Sequence, residues 1–292
     1  MPDWPDIFAA LREGDIAVTE DARPISIGGG DISAAWRIDS IFLKTGNTGS
    51  LDMFEAEADG LDELASAGAV RVPKVLACGE TGNNAFLATK WIDFDQPGRE
   101  TERLLGQQLA EMHRHQKEQY GWHRDNTIGL TPQHNQWSEN WIEFFREQRL
   151  GFQLRLAERN GYGGELQSTG TTLSENIAKL FQNYEPVASL LHGDLWGGNW
   201  AASSEQPVIF DPAVYYGDRE SDIAMTKLFG GFGPDFYSAY QESWPMEAGH
   251  EERLKLYQLY HVLNHLNLFG RGYFGRSMHL IRDLNMRSGR WL

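Results

Sequence analysis

Asp194, Asn199 and Asp211 are residues whose types and spacing could perform chemistry together. They lie in Leu190–Leu191–His192–Gly193–Asp194–Leu195–Trp196–Gly197–Gly198–Asn199–Trp200 and in Val208–Ile209–Phe210–Asp211–Pro212. The pattern is a short apolar strand, a tight polar loop, a second apolar strand and a carboxylate. Phosphoryl transfer needs such a set. Asp194 can orient or accept the proton of an attacking hydroxyl, and Asn199 and Asp211 offer oxygen ligands to Mg²⁺, a hard cation that prefers them. The H-x-D-x-x-x-x-N spacing from His192 to Asn199 is that of phosphotransferase catalytic loops. Gly197 and Gly198 let the backbone turn sharply enough to bring Asp194 to Asn199. Asp and Asn also brace ordinary turns, but that alternative gives no role to Asp211, which arrives where a second metal ligand is required.

Elements earlier in the chain must supply the rest of a nucleotide site. Arg23 to Thr45 predicts strands at Pro24–Ile27, Ala34–Ile38 and Ile41–Lys44, with Gly28–Gly29–Gly30 and Asp39–Ser40 as turns. A glycine turn has unobstructed amides that can lie over phosphates. Lys44 ends its strand, and a helix follows from about Leu51 to Ala67 with Phe54, Ala58, Leu61 and Leu64 on one face. A lysine on the phosphates needs a helix glutamate to hold it; Glu57 and Glu55 are the candidates. Strands are expected at Val72–Ala77 and Ala85–Thr89. Composition then changes abruptly over Lys90–Gly98, which we place as a hinge, with an adenine able to hydrogen-bond backbone groups of Lys90, Trp91 or Ile92. The expected division is 1–90, rich in strands, and 91–292, mainly helical.

In the second part, helices are expected at Arg103–Lys117, Trp137–Arg159, Leu173–Tyr184, about Glu220–Phe229, near His250–Phe269 and at Tyr273–Arg287, with Tyr120–Gln136 as a long polar loop. Asp222 suits either the first turn of its helix or a brace on the catalytic loop. The bulk numbers restrict function further. Hydrophobic residues are 41% of 292, enough for a sizeable core. With 26 basic and 41 acidic side chains the formal charge is −15, which disfavours general nucleic-acid or anionic-membrane binding. One cysteine, Cys78, excludes an internal disulfide and a cysteine zinc cluster. No signal-peptide pattern or membrane-spanning run is present, so a cytoplasmic location is expected. A metallophosphatase would need converging histidines and carboxylates; the chain has no D-x-H pair, and Asn199 is followed by Trp200.

Taken together these segments resemble the fructosamine/ketosamine 3-kinase family, within the aminoglycoside-phosphotransferase and choline-kinase-like group. The similarity covers nearly the whole chain. It is strongest in His192–Asn199, in Phe210–Met225, and in His123–Arg124–Asp125–Asn126–Thr127–Ile128–Gly129 with Pro132–Gln133, Asn135, Trp141, Phe144–Phe145, Glu147 and Arg149–Leu150. The resemblance implies an α+β, two-lobed protein-kinase-like fold, with a small antiparallel-sheet lobe and a larger helical lobe. It implies ATP and Mg²⁺, and transfer of the γ-phosphate to the sugar 3-hydroxyl of a ketosamine, either a small molecule or a glycated protein lysine. The phosphorylated product is unstable, so the outcome would be deglycation.

Carried over by position, Asp194 is catalytic, Asn199 and Asp211 bind metal, Lys44 binds phosphate and Glu57 is its partner. His123, Asp125 and Asn126 belong near the sugar. Trp196 and Tyr215 are candidates for an apolar wall there. Some relatives carry a redox-sensitive cysteine beside the glycine turn. Here Asp31 stands there, where it would be awkward beside phosphates unless it points away or caps the turn. The same fold acting on another alcohol or amino sugar, of the choline or aminoglycoside kind, is the alternative, and a non-catalytic scaffold is disfavoured because all four key side chains are present.

Overall fold

A computed structural model describes residues 2–28 and 33–288. A five-stranded antiparallel sheet forms the first lobe, built from β1 (Ile25–Ile27), β2 (Ala34–Ile38), β3 (Ile41–Asn47), β4 (Val75–Thr81) and β5 (Asn84–Lys90), in the order β1-β2-β3-β5-β4. Two helices cover its faces: α1 (Trp4–Glu13) and α2 (Leu51–Ser66). Side chains alternate across a strand, and β5 shows the result. Phe86 and Ala88 pack with Ile7 and Leu11 of α1, while Ala85 and Leu87 pack with Phe54 and Ala58 of α2. On β3, Ile41 and Leu43 belong to the α1 side. Lys44, one residue on, therefore faces α2.

The second lobe is mainly helical around one large apolar core. Its elements are α3 (Arg99–His113), β6 (Gln116–Lys117), β7 (Asn126–Ile128), β8 (Thr131–Gln133), α4 (Trp141–Phe144), α5 (Phe152–Arg159), α6 (Glu165–Asn176), β9 (Ala188–Leu191), β10 (Trp200–Ser203), β11 (Gln206–Ile209), β12 (Tyr215–Gly217), α7 (Glu220–Phe229), α8 (Pro234–Ser243), α9 (His250–Phe269) and α10 (Phe274–Ser288). Among the described residues no helix is long and apolar enough to cross a membrane.

Several expected boundaries move. The strand expected at Val72–Ala77 is β4, three residues later. The helix expected to reach Lys117 ends at His113, because Gln116 and Lys117 pair with Ser189 and Ala188 of β9. The loop expected over Tyr120–Gln136 contains the β7–β8 hairpin, turned by Gly129–Leu130 with Gly129 at φ +63°. The helix expected over Trp137–Arg159 is interrupted by a π-helical run, Phe145–Gly151, a feature that often marks functional sites. The helix expected over Leu173–Tyr184 starts at Glu165 and ends in a 3₁₀ turn, Ile177–Phe181. Helix α8 is an addition to the expected elements; Gly230–Gly231–Phe232–Gly233–Pro234 in front of it signals a loop.

Candidate active site

Two strand pairings end at one place and bring the key residues together. β9 pairs antiparallel with β12, Leu191 opposite Tyr215, and β10 pairs with β11, Trp200 opposite Ile209. Asn199 and Phe210 thus leave the hairpin side by side, and the Phe210 N–H donates to the Asn199 carbonyl at 3.0 Å. Asp211 follows at φ +56°, a left-handed conformation that costs a non-glycine residue free energy and is characteristic of functional sites. Gly193 sits at φ +81°, where an added Cβ would lie 2.0 Å from the Ala213 carbonyl oxygen. Only glycine fits.

Asp222 braces this loop. Its two oxygens accept the backbone N–H groups of His192 and Gly193 at 2.8 and 2.9 Å, and His113 Nε2 lies 3.2 Å away. Burial opposes its charge, but the hydrogen bonds from His113 and from the backbone amides outweigh burial and hold the carboxyl below its usual range. The two roles left open for Asp222 are compatible, since it also lies in the first turn of α7. His192 is buried, and that burial lowers its pKa; its Nε2 lies 3.0 Å from the Phe210 carbonyl.

Asp194, Asn199, Asp211, Lys44 and Glu57 converge. Lys44 Nζ donates to Glu57 at 2.7 and 2.9 Å and to Asp211 Oδ1 at 2.8 Å. Burial acts against its charge, yet the two carboxylates prevail and raise its pKa. Glu57 is therefore the partner, while Glu55 turns to Arg124 at 3.6 Å. Asn199 Nδ2 donates to the Asp194 carbonyl at 2.9 Å and to the Asp211 carbonyl at 3.3 Å. That leaves its amide oxygen for a cation. Burial, then the charges of Asp211 and Asp222, push the Asp194 carboxyl up to about 7.

The donor set fits Mg²⁺ held jointly with a nucleotide. Asp211 and Asn199 offer hard oxygens, and among the described residues no group of three His, Cys, Asp or Glu forms a self-sufficient metal cage. Mg²⁺ commonly takes one or two protein carboxylates plus substrate phosphates. On the nucleotide side, Gly28 is described, whereas Gly29, Gly30 and Asp31 lie outside the described residues. At the expected hinge two of the three backbone N–H groups are already taken. The N–H groups of Lys90 and Trp91 are engaged by the carbonyls of Lys74 and Ser40, both at 2.8 Å. Among the described residues, no backbone carbonyl takes the N–H of Ile92.

The residues expected near the sugar separate into two groups. Trp196 is 41% exposed, and its ring lies over Gly198, where a Cβ would come within 2.4 Å of it. His123 is half exposed and 3.6 Å from Asp59. Asp125 is half exposed, with one oxygen 2.6 Å from His134 Nδ1 and the other accepting the Asn135 N–H at 2.8 Å. Asn126 and Tyr215 are corrections, because both are buried. Asn126 donates to the Val214 carbonyl at 2.8 Å and accepts from Gln133 and Asn135, both at 2.9 Å. The Tyr215 ring packs under the Arg149 guanidinium, 4.1 Å away, and beside Phe144. Both support the catalytic loop from beneath. Asn126→Ala should accordingly cost about 1–3 kcal/mol of stability by orphaning buried partners, with acceptor KM nearly unchanged in the folded fraction. Steady-state kinetics beside thermal denaturation checks this; a large KM change at unaltered Tm would return Asn126 to the sugar.

Sequence reasoning misses His113, Gln133 and Arg149 as parts of this support. Gln133 Nε2 donates to the Ala213 carbonyl at 3.1 Å and Tyr260 donates to Gln133 at 2.7 Å. Arg149 donates to Asn135 at 2.6 Å from within the π-helical run. The glutamine and arginine stand in the segments that carry the family resemblance; His113 carries no signal.

Comparison with known proteins decides the family. A family model described as fructosamine kinase matches residues 4–287. The chain belongs to the fructosamine kinase family. It is similar to the chloroplastic protein-ribulosamine 3-kinase of Arabidopsis thaliana, 46% identical over 283 residues that cover 94% of this chain and 85% of that protein. A crystal structure assigned as a fructosamine-3-kinase of Haemophilus somnus 129PT superposes with a TM-score of 0.88 at 29% identity, over 96% of this chain and 97% of that one. A streptomycin–ATP complex of an aminoglycoside phosphotransferase superposes with a TM-score of 0.65 at 15% identity, covering 97% of each chain. This last likeness is one of fold. The fructosamine kinase family chain described here has the two-lobed kinase-like architecture.

Proposed function

We propose that this protein transfers the γ-phosphoryl group of Mg·ATP to the sugar 3-hydroxyl of a ketosamine, a fructosamine or ribulosamine, free or on a glycated protein lysine. Loss of the unstable phosphate ester then frees the amine, which is deglycation. The observation that carries the proposal is the meeting of Lys44, Asp194, Asn199 and Asp211 across the two lobes in a chain of this family.

In this reading residues 90–98 are the hinge between 1–90 and 91–292, with the Ile92 N–H offered to the adenine. Asp95 ties the hinge to the catalytic hairpin, since its N–H donates to the Ala202 carbonyl at 2.8 Å and its side chain accepts the Ser204 N–H at 2.9 Å. Lys44, kept cationic by Glu57 and Asp211, lies against the phosphates. Asn199 and Asp211 would hold Mg²⁺, which would supply positive charge to offset that of the phosphates. Asp194 orients the sugar hydroxyl and takes its proton late, because the transition state is loose. Positioning and electrostatics carry most of the acceleration. Trp196 offers its exposed ring to the sugar or its amine substituent, with His123 and Asp125 at the rim.

Asp211→Asn removes charge from the metal site. It should weaken Mg·ATP binding at limiting Mg²⁺ while leaving the fold intact, as read by nucleotide titration. Unchanged affinity would remove Asp211 from that role. The acceptor is tested by ATP consumption across free ketosamines, glycated lysine peptides, choline and aminoglycosides. Turnover is expected on the ketosamines. Turnover on choline or aminoglycosides alone would reject the ketosamine assignment and leave the kinase chemistry standing.

A further inference from the structure

We propose that Arg124 is a positioning residue: it clamps α2 from outside and so fixes Glu57, and through it Lys44, for ATP. The proposal rests on the phosphotransfer reading above. Arg124 lies in the segment between α3 and α4, in the helical lobe, yet its guanidinium reaches across to α2. Nη1 donates to Asp59 Oδ2 at 2.7 Å, and Nη2 donates to Asp52 Oδ1 at 2.7 Å, with Glu55 Oε2 3.6 Å away. At roughly 100° per residue, Asp52, Glu55 and Asp59 share one face of α2, and Glu57 points away from that face. One side chain therefore spans about two turns of the helix on the side opposite Glu57.

That grip has a specific mechanical consequence. The inner side of α2 is set by packing of Phe54 and Ala58 on the sheet. Its far end is tied to the helical lobe by Glu63, which accepts from Tyr216 at 2.6 Å and from Lys117 at 3.3 Å. With Arg124 at the near end, α2 can neither turn about its axis nor swing away from the lobe that carries Asp211. Lys44 needs both, since it bonds Glu57 from one lobe and Asp211 from the other. Without Arg124, three carboxylates on one helix face would repel one another. Each exposed ion pair alone contributes little; a single planar guanidinium bridging two turns also fixes geometry, which a lysine cannot do as well.

The experiment measures Mg·ATP affinity by titration without acceptor, together with Tm and acceptor KM, for Arg124→Ala, Arg124→Lys, Glu57→Gln and Arg124→Ala combined with Glu57→Gln. Arg124→Ala should weaken ATP binding by about threefold to tenfold, the range of a small coupled ion-pair network, with acceptor KM changed less than about twofold. Arg124→Lys, which preserves the charge and one pair, should restore part of the loss. In the Glu57→Gln background, Arg124→Ala should add little further loss. A lower Tm with unaltered ATP affinity, a rise in acceptor KM alone, or additive losses in the combined variant would each overturn the proposal. The titration contains no acceptor, so ATP affinity responds to the clamp whichever alcohol the enzyme phosphorylates.

Discussion

Asp194→Asn lowers kcat by about 10²–10⁴-fold, the usual contribution of a positioned proton acceptor, while Mg·ATP still binds. Asparagine keeps the size and the hydrogen-bond reach of the side chain but cannot take a proton. The surrounding geometry should persist, because the loop is held by other groups: Asp222 accepts from His192 and Gly193, and Asn199 donates to the Asp194 backbone carbonyl. Asp194 stands beside the metal ligands without being needed as one, so nucleotide affinity should change little. Steady-state kinetics and nucleotide titration on the same preparation separate the two effects. Near-normal turnover would remove Asp194 from the chemistry.

The second large effect is on stability. Arg253→Leu leaves Glu220 buried without its cation. The pair is bidentate, at 2.8 Å for each bond, with side-chain exposures of 2% and 0%. Asp218 lies in the same buried cluster, accepting from Tyr184 at 2.8 Å, Tyr257 at 2.5 Å and the Glu220 N–H at 3.0 Å. Burial and then Asp218 already push Glu220 up to about 7. Breaking one partner of such a pair costs about 3–5 kcal/mol, a fall in Tm of roughly 6–20 °C at about 2–4 °C per kcal/mol. Arg253→Leu with Glu220→Leu should recover much of it, since a buried pair replaced as a whole is often nearly neutral. A Tm within a degree or two of the parent in the single variant would contradict this account of the cluster. The cluster matters to catalysis because Glu220 and Asp222 are on one turn of α7, and Asp222 holds the catalytic loop.

What can be read from the sequence follows from how local each signal is. Asp194, Asn199 and Asp211 lie within 18 residues, and the intervening apolar strands dictate a hairpin that returns Asp211 to Asn199. Lys44 and Glu57 are also legible, because strand alternation and the stripe of α2 set their directions independently. Glu57 stands beside the stripe, whereas roughly 100° per residue puts Glu55 on the polar side of α2; that Arg124 meets Glu55 there is a tertiary fact. Asn126 and Tyr215 look like sugar-site residues because they neighbour the motifs. Their burial depends on Val214, Gln133 and Arg149, which meet them only after folding. The π-helical run at Phe145–Gly151 leaves no mark in composition, for the apolar spacing on either side looks continuous. Helix α8 is hidden by the glycines before it, which pack loops and start helices alike.

The most direct test of phosphotransfer to the sugar is ³¹P NMR of this protein with Mg·ATP and fructosyl-lysine. A new phosphomonoester resonance coupled to the sugar C3 proton should appear as the γ-phosphate signal falls, followed by its decay with release of lysine. Loss of γ-phosphate to inorganic phosphate alone, or an ester at another position, would contradict the account.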